Sequence, residues 1–112
     1  MLLAFSDYSE TKNNFKALED RRDEWLGGMN KGGLKSNINR AEIIMINNTR
    51  FLIMSLKNGD EYYSSFISDR KGSRGISGSI QYKAEDREKG EKVLLDFLKH
   101  ISFNAPSLSG DN

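Results

Sequence analysis

The sequence predicts an α+β domain in which an antiparallel β-sheet meander of about four to five strands is packed by two helices, in the order β-α-β-β-β-β-α. Short apolar runs separated by turn residues fill residues 42–82, which is typical of a meander. One strongly amphipathic segment follows this block. An apolar run and a weaker helical pattern precede it, and together these observations define the fold class.

The meander carries the clearest strand signals. Glu42–Asn47 and Arg50–Leu56 are apolar runs separated by a turn at Asn47-Asn48. Asn58-Gly59 predicts a hairpin into the strand Glu61–Ser68, because both turn residues tolerate positive φ. The last strand is recognised by period-2 alternation, with every second residue apolar or small: Ile76, Gly78, Ile80 and Tyr82.

The closing helix begins near Ala84, and acidic residues in its first turns suit the positive end of the helix dipole. Its apolar residues fall on one face. That face consists of Val93, Leu94, Phe97, Leu98 and Ile101.

Three glycines lie inside predicted regular elements. We expect a bulge or a close approach of another element at Gly75 and Gly78, since glycine weakens a strand interior. Gly90 costs the closing helix about 1 kcal/mol relative to alanine, so we expect tight packing there.

The N-terminal part predicts a short strand, Leu2–Ser6, followed by a helix capped by Asp7 or Ser9. A Gly27-Gly28 pair and a Gly32-Gly33 pair bracket the end of this helix, where a C-cap glycine is expected. Its single apolar stripe comprises Phe15, Leu18, Trp25, Leu26 and Met29.

Length and composition indicate one domain, residues 1–103, with a flexible C-terminal tail at 104–112. The 17 basic and 16 acidic residues leave a net charge of +1, which argues against a general polyanion binder. The chain has no cysteine, which excludes disulfides and thiolate chemistry. No apolar run reaches the ~18 residues of a transmembrane helix. The sequence does not determine the location: we expect the cytoplasm for the sequence as written, and the cell envelope if an N-terminal lipoprotein signal has been removed.

Two stretches are candidate interaction surfaces. Trp25 and Met29 place apolar side chains beside the flexible Gly27-Gly28 backbone. These side chains either pack in the core or form a partly exposed patch that a partner covers. Arg70, Lys71 and Arg74 concentrate positive charge in one loop, either as a solvated hairpin tip or as a site for a phosphate or an acidic partner.

The block 42–69, the glycine-bearing strand after it and residues 91–103 resemble the second half of the PsbP-like fold, which DcrB-type bacterial envelope proteins share. The resemblance covers roughly residues 2–103. The resemblance is carried by Glu42 opening a strand, the turn 46–48, the aromatic-rich strand 62–68 and a helix ending in Ile-Ser-Phe at 101–103. It implies a bacterial assembly, binding or envelope protein. Members of that group usually open with an extra N-terminal strand or hairpin and often carry a lipoprotein signal, and neither is visible in this sequence.

The pattern of side chains favours a non-enzymatic role. His100 is the only histidine, and we find no nucleophile with a neighbouring base. We therefore expect a protein-interaction or envelope-associated domain that needs no cofactor and binds no nucleic acid. It would bind a protein partner or a second copy of itself through a sheet edge or the Trp25/Met29 region, and the Arg70–Arg74 loop would adjust the charge of the contact. The alternative is a small-molecule or lipid-binding protein whose pocket lies between the first helix and the sheet.

Overall fold

A computed structural model describes residues 2–9, 16–70 and 74–103 and shows the predicted α+β fold and element order. Its strands form one antiparallel sheet in the order β1-β5-β4-β3-β2. Short 3-10 turns, Lys35–Asn37 and Ala84–Asp86, precede β2 and α2. The elements are β1 (Leu2–Ser9), α1 (Leu18–Lys31), β2 (Ile38–Ile46), β3 (Thr49–Asn58), β4 (Glu61–Ser68), β5 (Arg74–Lys83) and α2 (Arg87–Phe103).

Residues with positive φ form the two tight turns of the meander. Asn47 and Asn48 have φ values of 51° and 67°, and they connect β2 to β3 as predicted. The next turn differs from the prediction by one residue, because Asn58 remains in β3, opposite Glu61. The two residues of that turn are Gly59, with φ 61°, and Asp60.

The main core lies between α2 and one face of the sheet. Alternate residues of β3, β4 and β5 point to this face, as the period of two requires. Leu94, Leu98 and Ile101 of α2 are buried against them, whereas Phe97 is half-buried and Val93 lies exposed at the margin. The buried sheet residues of this cluster are Phe51, Ile53, Tyr62, Phe66, Ile76, Ile80 and Tyr82.

The first helix packs on the opposite face of the sheet. Leu52 lies between Phe51 and Ile53 in β3 and therefore points away from α2. It is fully buried, as is Leu18 at the start of α1, and α1 contacts β2 and β3. The two helices thus sandwich the sheet, but α1 covers only the half formed by β2 and β3.

The predicted start of the first helix is wrong. Asp7 lies inside β1, opposite Ile76 of β5, and Ser9 also belongs to that strand. α1 begins only at Leu18, after Ala17, and no side chain caps it. The predicted end of the helix is confirmed at the second glycine pair, where Gly32 is the C-cap and Gly33 has φ 76°.

The prediction of close approaches at the strand glycines is confirmed. A Cβ on Gly75 would overlap the ring of Tyr8, and one on Gly78 would meet the Phe66 ring and the backbone of Ala4. The glycines therefore let β1 and the core aromatic rings lie directly on β5. The predicted tail at 104–112 and the expected apolar residue Phe15 lie outside the described residues.

Candidate interaction surface

An ion-pair network fixes the start of α1 on the sheet. Arg50 of β3 donates from Nη1 to Glu19 Oε2 at 2.6 Å and from Nε to Asp69 Oδ2 at 3.1 Å. The hydrogen bond from Arg50 holds the pKa of Glu19 below its ordinary value, and the bonds to Glu19 and Asp69 raise the pKa of Arg50. The network therefore links the first turn of α1 to β3 and to Asp69, which follows β4.

An open groove of about 610 Å³ lies between α1 and strands β3, β4 and β5. Trp25, Met54 and Ile67 supply apolar walls, and an ion pair of 2.8 Å between Lys16 and Glu24 lies at its rim. The remaining sheet residues of the lining are largely small or hydroxylated: Ser65, Ser77, Gly78 and Ser79. The groove is open and partly polar, unlike an enclosed apolar pocket.

The structure leaves both predicted apolar contact residues of α1 half-buried. Trp25 lines the groove, whereas Met29 is not among the residues that line it. Residues four apart share one helix face, so Met29 extends the surface of Trp25 by one turn. The interaction hypothesis for this pair stays a prediction.

The structure does not join the predicted basic loop to this groove. Arg74 begins β5 and lies 3.6 Å from Asp7 of β1, so a neighbouring carboxylate offsets its charge. Arg70 is half-buried, and Lys71 lies outside the described residues. Neither Arg70 nor Arg74 lines the groove of Trp25. The role of the loop in binding stays a prediction.

The outer edge of β1 is a candidate surface. The sequence predicts contact at a sheet edge but does not identify the strand. β1 ends the sheet, and it pairs with β5 in an unbroken register from Leu2 opposite Gln81 to Ser9 opposite Arg74. Leu2 is 68% exposed and Phe5 is 57% exposed, although the Phe5 ring packs against Phe97 with 4.7 Å between centroids. The strand contains no lysine, arginine or proline, which is the sequence signal that could have revealed it.

The opposite edge of the sheet carries the features that usually block strand addition. The register of β2 shifts between Ile38 and Arg40, and Arg40 donates to Glu42 on the same strand at 2.7 Å. α1 and α2 both contact β2. The shifted register and the charged pair on β2 discourage a further strand there, and β1 has neither feature.

The described residues form a small α+β domain with one antiparallel sheet and helices on opposite faces, and within them β1 pairs with β5 alone. Comparisons with protein-family models, with curated proteins and with solved structures found no match. The PsbP-like resemblance therefore stays a prediction.

Two negative findings concern the described part of the chain. Neither α1 nor α2 combines the length and the apolar character needed to cross a membrane. Within 2–9, 16–70 and 74–103, no three histidine or carboxylate side chains gather closely enough to hold a metal ion.

Proposed function

We propose that this protein is an interaction module that performs no catalysis and binds another polypeptide by adding it as a strand beside β1. Strand addition uses main-chain hydrogen bonds for affinity and alternate side chains for specificity. The setting in the cell envelope is a further proposal, and it depends on the PsbP-like resemblance alone.

The observation that carries the proposal is the contrast between the two sheet edges. A regular eight-residue edge strand offers outward N–H and C=O groups in every second position. Natural sheets usually block such an edge with lysine, proline or a bulge, as β2 partly does. An edge that keeps a regular register and exposed apolar residues, Leu2 and Phe5, is suited to a partner strand.

A displayed library of short random peptides provides a direct test, at protein concentrations where the chain is monomeric. We expect enriched peptides to slow hydrogen exchange of the amides in residues 2–9. The double variant Ala4→Lys/Phe5→Lys places a charge on each face of β1, and we expect it to weaken binding by about tenfold or more.

Met45→Lys is the matched control, because Met45 lies on the other edge strand and is 63% exposed. We expect this variant to bind the same peptides as the wild type. Peptides that protect the α1 groove instead, or binding that survives the double lysine variant, would contradict strand addition at β1.

A small amphipathic ligand in the groove beside α1 is the second candidate. The observation in its favour is the lining, which combines Trp25 and Met54 with the hydroxyls of Ser65 and Ser77. Trp25 is the only tryptophan, so its fluorescence reports on this groove. We expect a detergent or fatty acid at submicellar concentration to shift the emission saturably if this candidate is correct, and no shift rejects it for those ligands.

A further inference from the structure

We infer that the strand added beside β1 is a second copy of β1, paired antiparallel about a two-fold axis that passes beside Phe5. This inference names the partner of the edge described above and therefore rests on the proposed function. The product is a continuous ten-stranded sheet with both α2 helices on one face and both α1 helices on the other.

Symmetry limits the register of such a pair. A two-fold axis perpendicular to the sheet places the α2 faces of both copies on the same side of the joined sheet. Two residues directly opposite each other across the new strand pair must therefore both point to the α2 face or both to the α1 face. In β1 the odd-numbered residues point to the α2 face, since Leu3 lies opposite the buried Ile80 and Phe5 contacts Phe97. The axis must therefore lie beside a single residue of β1, not between two.

Charge and apolar contacts select Phe5 among these positions. An axis beside Asp7 would place two carboxylates opposite each other, which is unfavourable. An axis beside Ala4 pairs fewer residues, and one beside Ser6 places each Phe5 opposite Asp7. An axis beside Phe5 places the two exposed Phe5 rings together on the α2 face, whereas the Ser6 axis separates them. It places Leu2 opposite Tyr8 on the other face, and the residue opposite Asp7 is then the half-buried Leu3 instead of the exposed Phe5.

The same register keeps the charges of β1 apart. Asp7 is the only charged residue of the strand, and Arg74 of the same chain lies 3.6 Å from it. Each Asp7 lies two residues from the axis, which separates the two carboxyl-bearing residues by about 14 Å along the strands, beyond the Debye length of about 10 Å at 0.1 M salt. In this register the exposed rings of β1 meet each other and its like charges stay apart.

Each Phe5 ring already packs against Phe97, which in turn packs against Phe66 with 5.6 Å between centroids. Pairing at Phe5 therefore connects the cores of the two copies through a row of aromatic rings. This row covers the apolar ring surface that the single chain leaves exposed on β1.

Sedimentation equilibrium of the full chain, from low micromolar to millimolar concentration, tests the self-association. We expect a reversible monomer–dimer equilibrium. Phe5→Lys should weaken it about tenfold or more, because two lysines would face each other at the axis. Met45→Lys should change it by no more than about twofold, as expected for a distant surface substitution.

Single-cysteine variants test the register, and the chain contains no other cysteine to interfere. Opposite residues have Cβ atoms about 4.5–5.5 Å apart, so Phe5→Cys should form a disulfide dimer faster than Ser6→Cys, Asp7→Cys or Met45→Cys under a mild oxidant. Fastest cross-linking at position 6 or 7 would overturn the register.

A wild-type chain that stays monomeric at millimolar concentration would overturn the dimer itself. If peptides still protect residues 2–9 in that case, the proposed function stands and only the second copy is rejected. If neither peptides nor a second copy occupy β1, both proposals fail.

Discussion

The ring of Tyr82 in β5 lies against Gly90 of α2 so closely that a Cβ on Gly90 would overlap the near carbons of the ring. Tyr82 is buried and stacks on Tyr62 of β4, with 5.5 Å between centroids and 23° between the ring planes. Burial also raises the pKa of the Tyr82 phenol. Glycine at position 90 therefore lets α2 approach the tyrosine pair directly.

We predict that Gly90→Ala destabilises the protein, although alanine is the better helix former. Helix propensity favours alanine by about 1 kcal/mol, whereas overpacking a close contact costs about 1–3 kcal/mol. We expect a net loss of about 1 kcal/mol in the free energy of unfolding, measured by urea denaturation.

Gly28→Ala in α1 is the matched control, because a Cβ placed there has no atom within 4 Å apart from its chain neighbours and the backbone of its own helix. The same change should stabilise the protein by about 0.5–1 kcal/mol through helix propensity alone. If both variants changed the free energy of unfolding in the same direction, the contact with Tyr82 would not govern the effect of Gly90→Ala.

We predict that Gly78→Ala loosens the edge strand. A Cβ at position 78 would overlap the carbonyl oxygen of Ala4 and the Phe66 ring, so β1 or the ring must move. The cost is about 1–3 kcal/mol of overpacking, and hydrogen exchange in residues 2–9 should accelerate. Ser79→Ala, on the opposite face of the same strand, is the control and should leave that exchange unchanged. Equal acceleration in both variants would contradict this account.

The sequence predicted those elements whose signals are local. The alternation of Ile76, Ile80 and Tyr82 and the helical spacing of Leu94, Leu98 and Ile101 each follow from a short period, and the burial of these residues agrees with it. The turn at Asn47-Asn48 is also a local signal, because the two asparagines that favour a turn in the sequence are the residues that adopt positive φ in it.

What the sequence did not predict depends on contacts between distant parts of the chain. Asp7 has helix-capping chemistry, but pairing of β1 with β5 brings it beside Arg74 and extends the strand to Ser9. The period of a helix also does not say which face of a sheet it covers. The sequence also did not identify which strand forms the expected contact edge, since that depends on the order of strands in the sheet.

We predict that Leu18→Ala destabilises the protein more than Trp25→Ala, although tryptophan is far larger. Leu18 is only 1% exposed beneath α1, so its removal leaves a cavity that costs about 2–5 kcal/mol. Trp25 is half-buried at the open groove, where solvent can fill the space, so the loss should be about 1 kcal/mol.

Chemical denaturation of both variants measures the difference, and acrylamide quenching of the wild type checks the exposure of Trp25. We expect partial quenching of the single tryptophan. Fully shielded fluorescence in dilute monomer, with a larger loss for Trp25→Ala than for Leu18→Ala, would assign Trp25 to the core and remove it from the candidate surface.

We predict that Glu19 contributes to the dependence of stability on pH. The hydrogen bond from Arg50 lowers the pKa of Glu19 in the folded state below its ordinary value of 4.5. A lowered folded pKa means that the unfolded chain binds the proton more readily. The contribution of Glu19 is therefore complete above about pH 4.5 and is lost as the pH falls through the folded value.

Glu19→Gln removes this titration, so its free energy of unfolding should fall less steeply than that of the wild type as the pH decreases from 5 to 3. Urea denaturation across that range measures the slope. Asp20→Asn removes an equal charge from the same turn of α1 but leaves the bond between Glu19 and Arg50 intact, so its slope should follow the wild type. If Asp20→Asn flattened the slope as much as Glu19→Gln, the effect would belong to the helix terminus in general and not to the contact with Arg50.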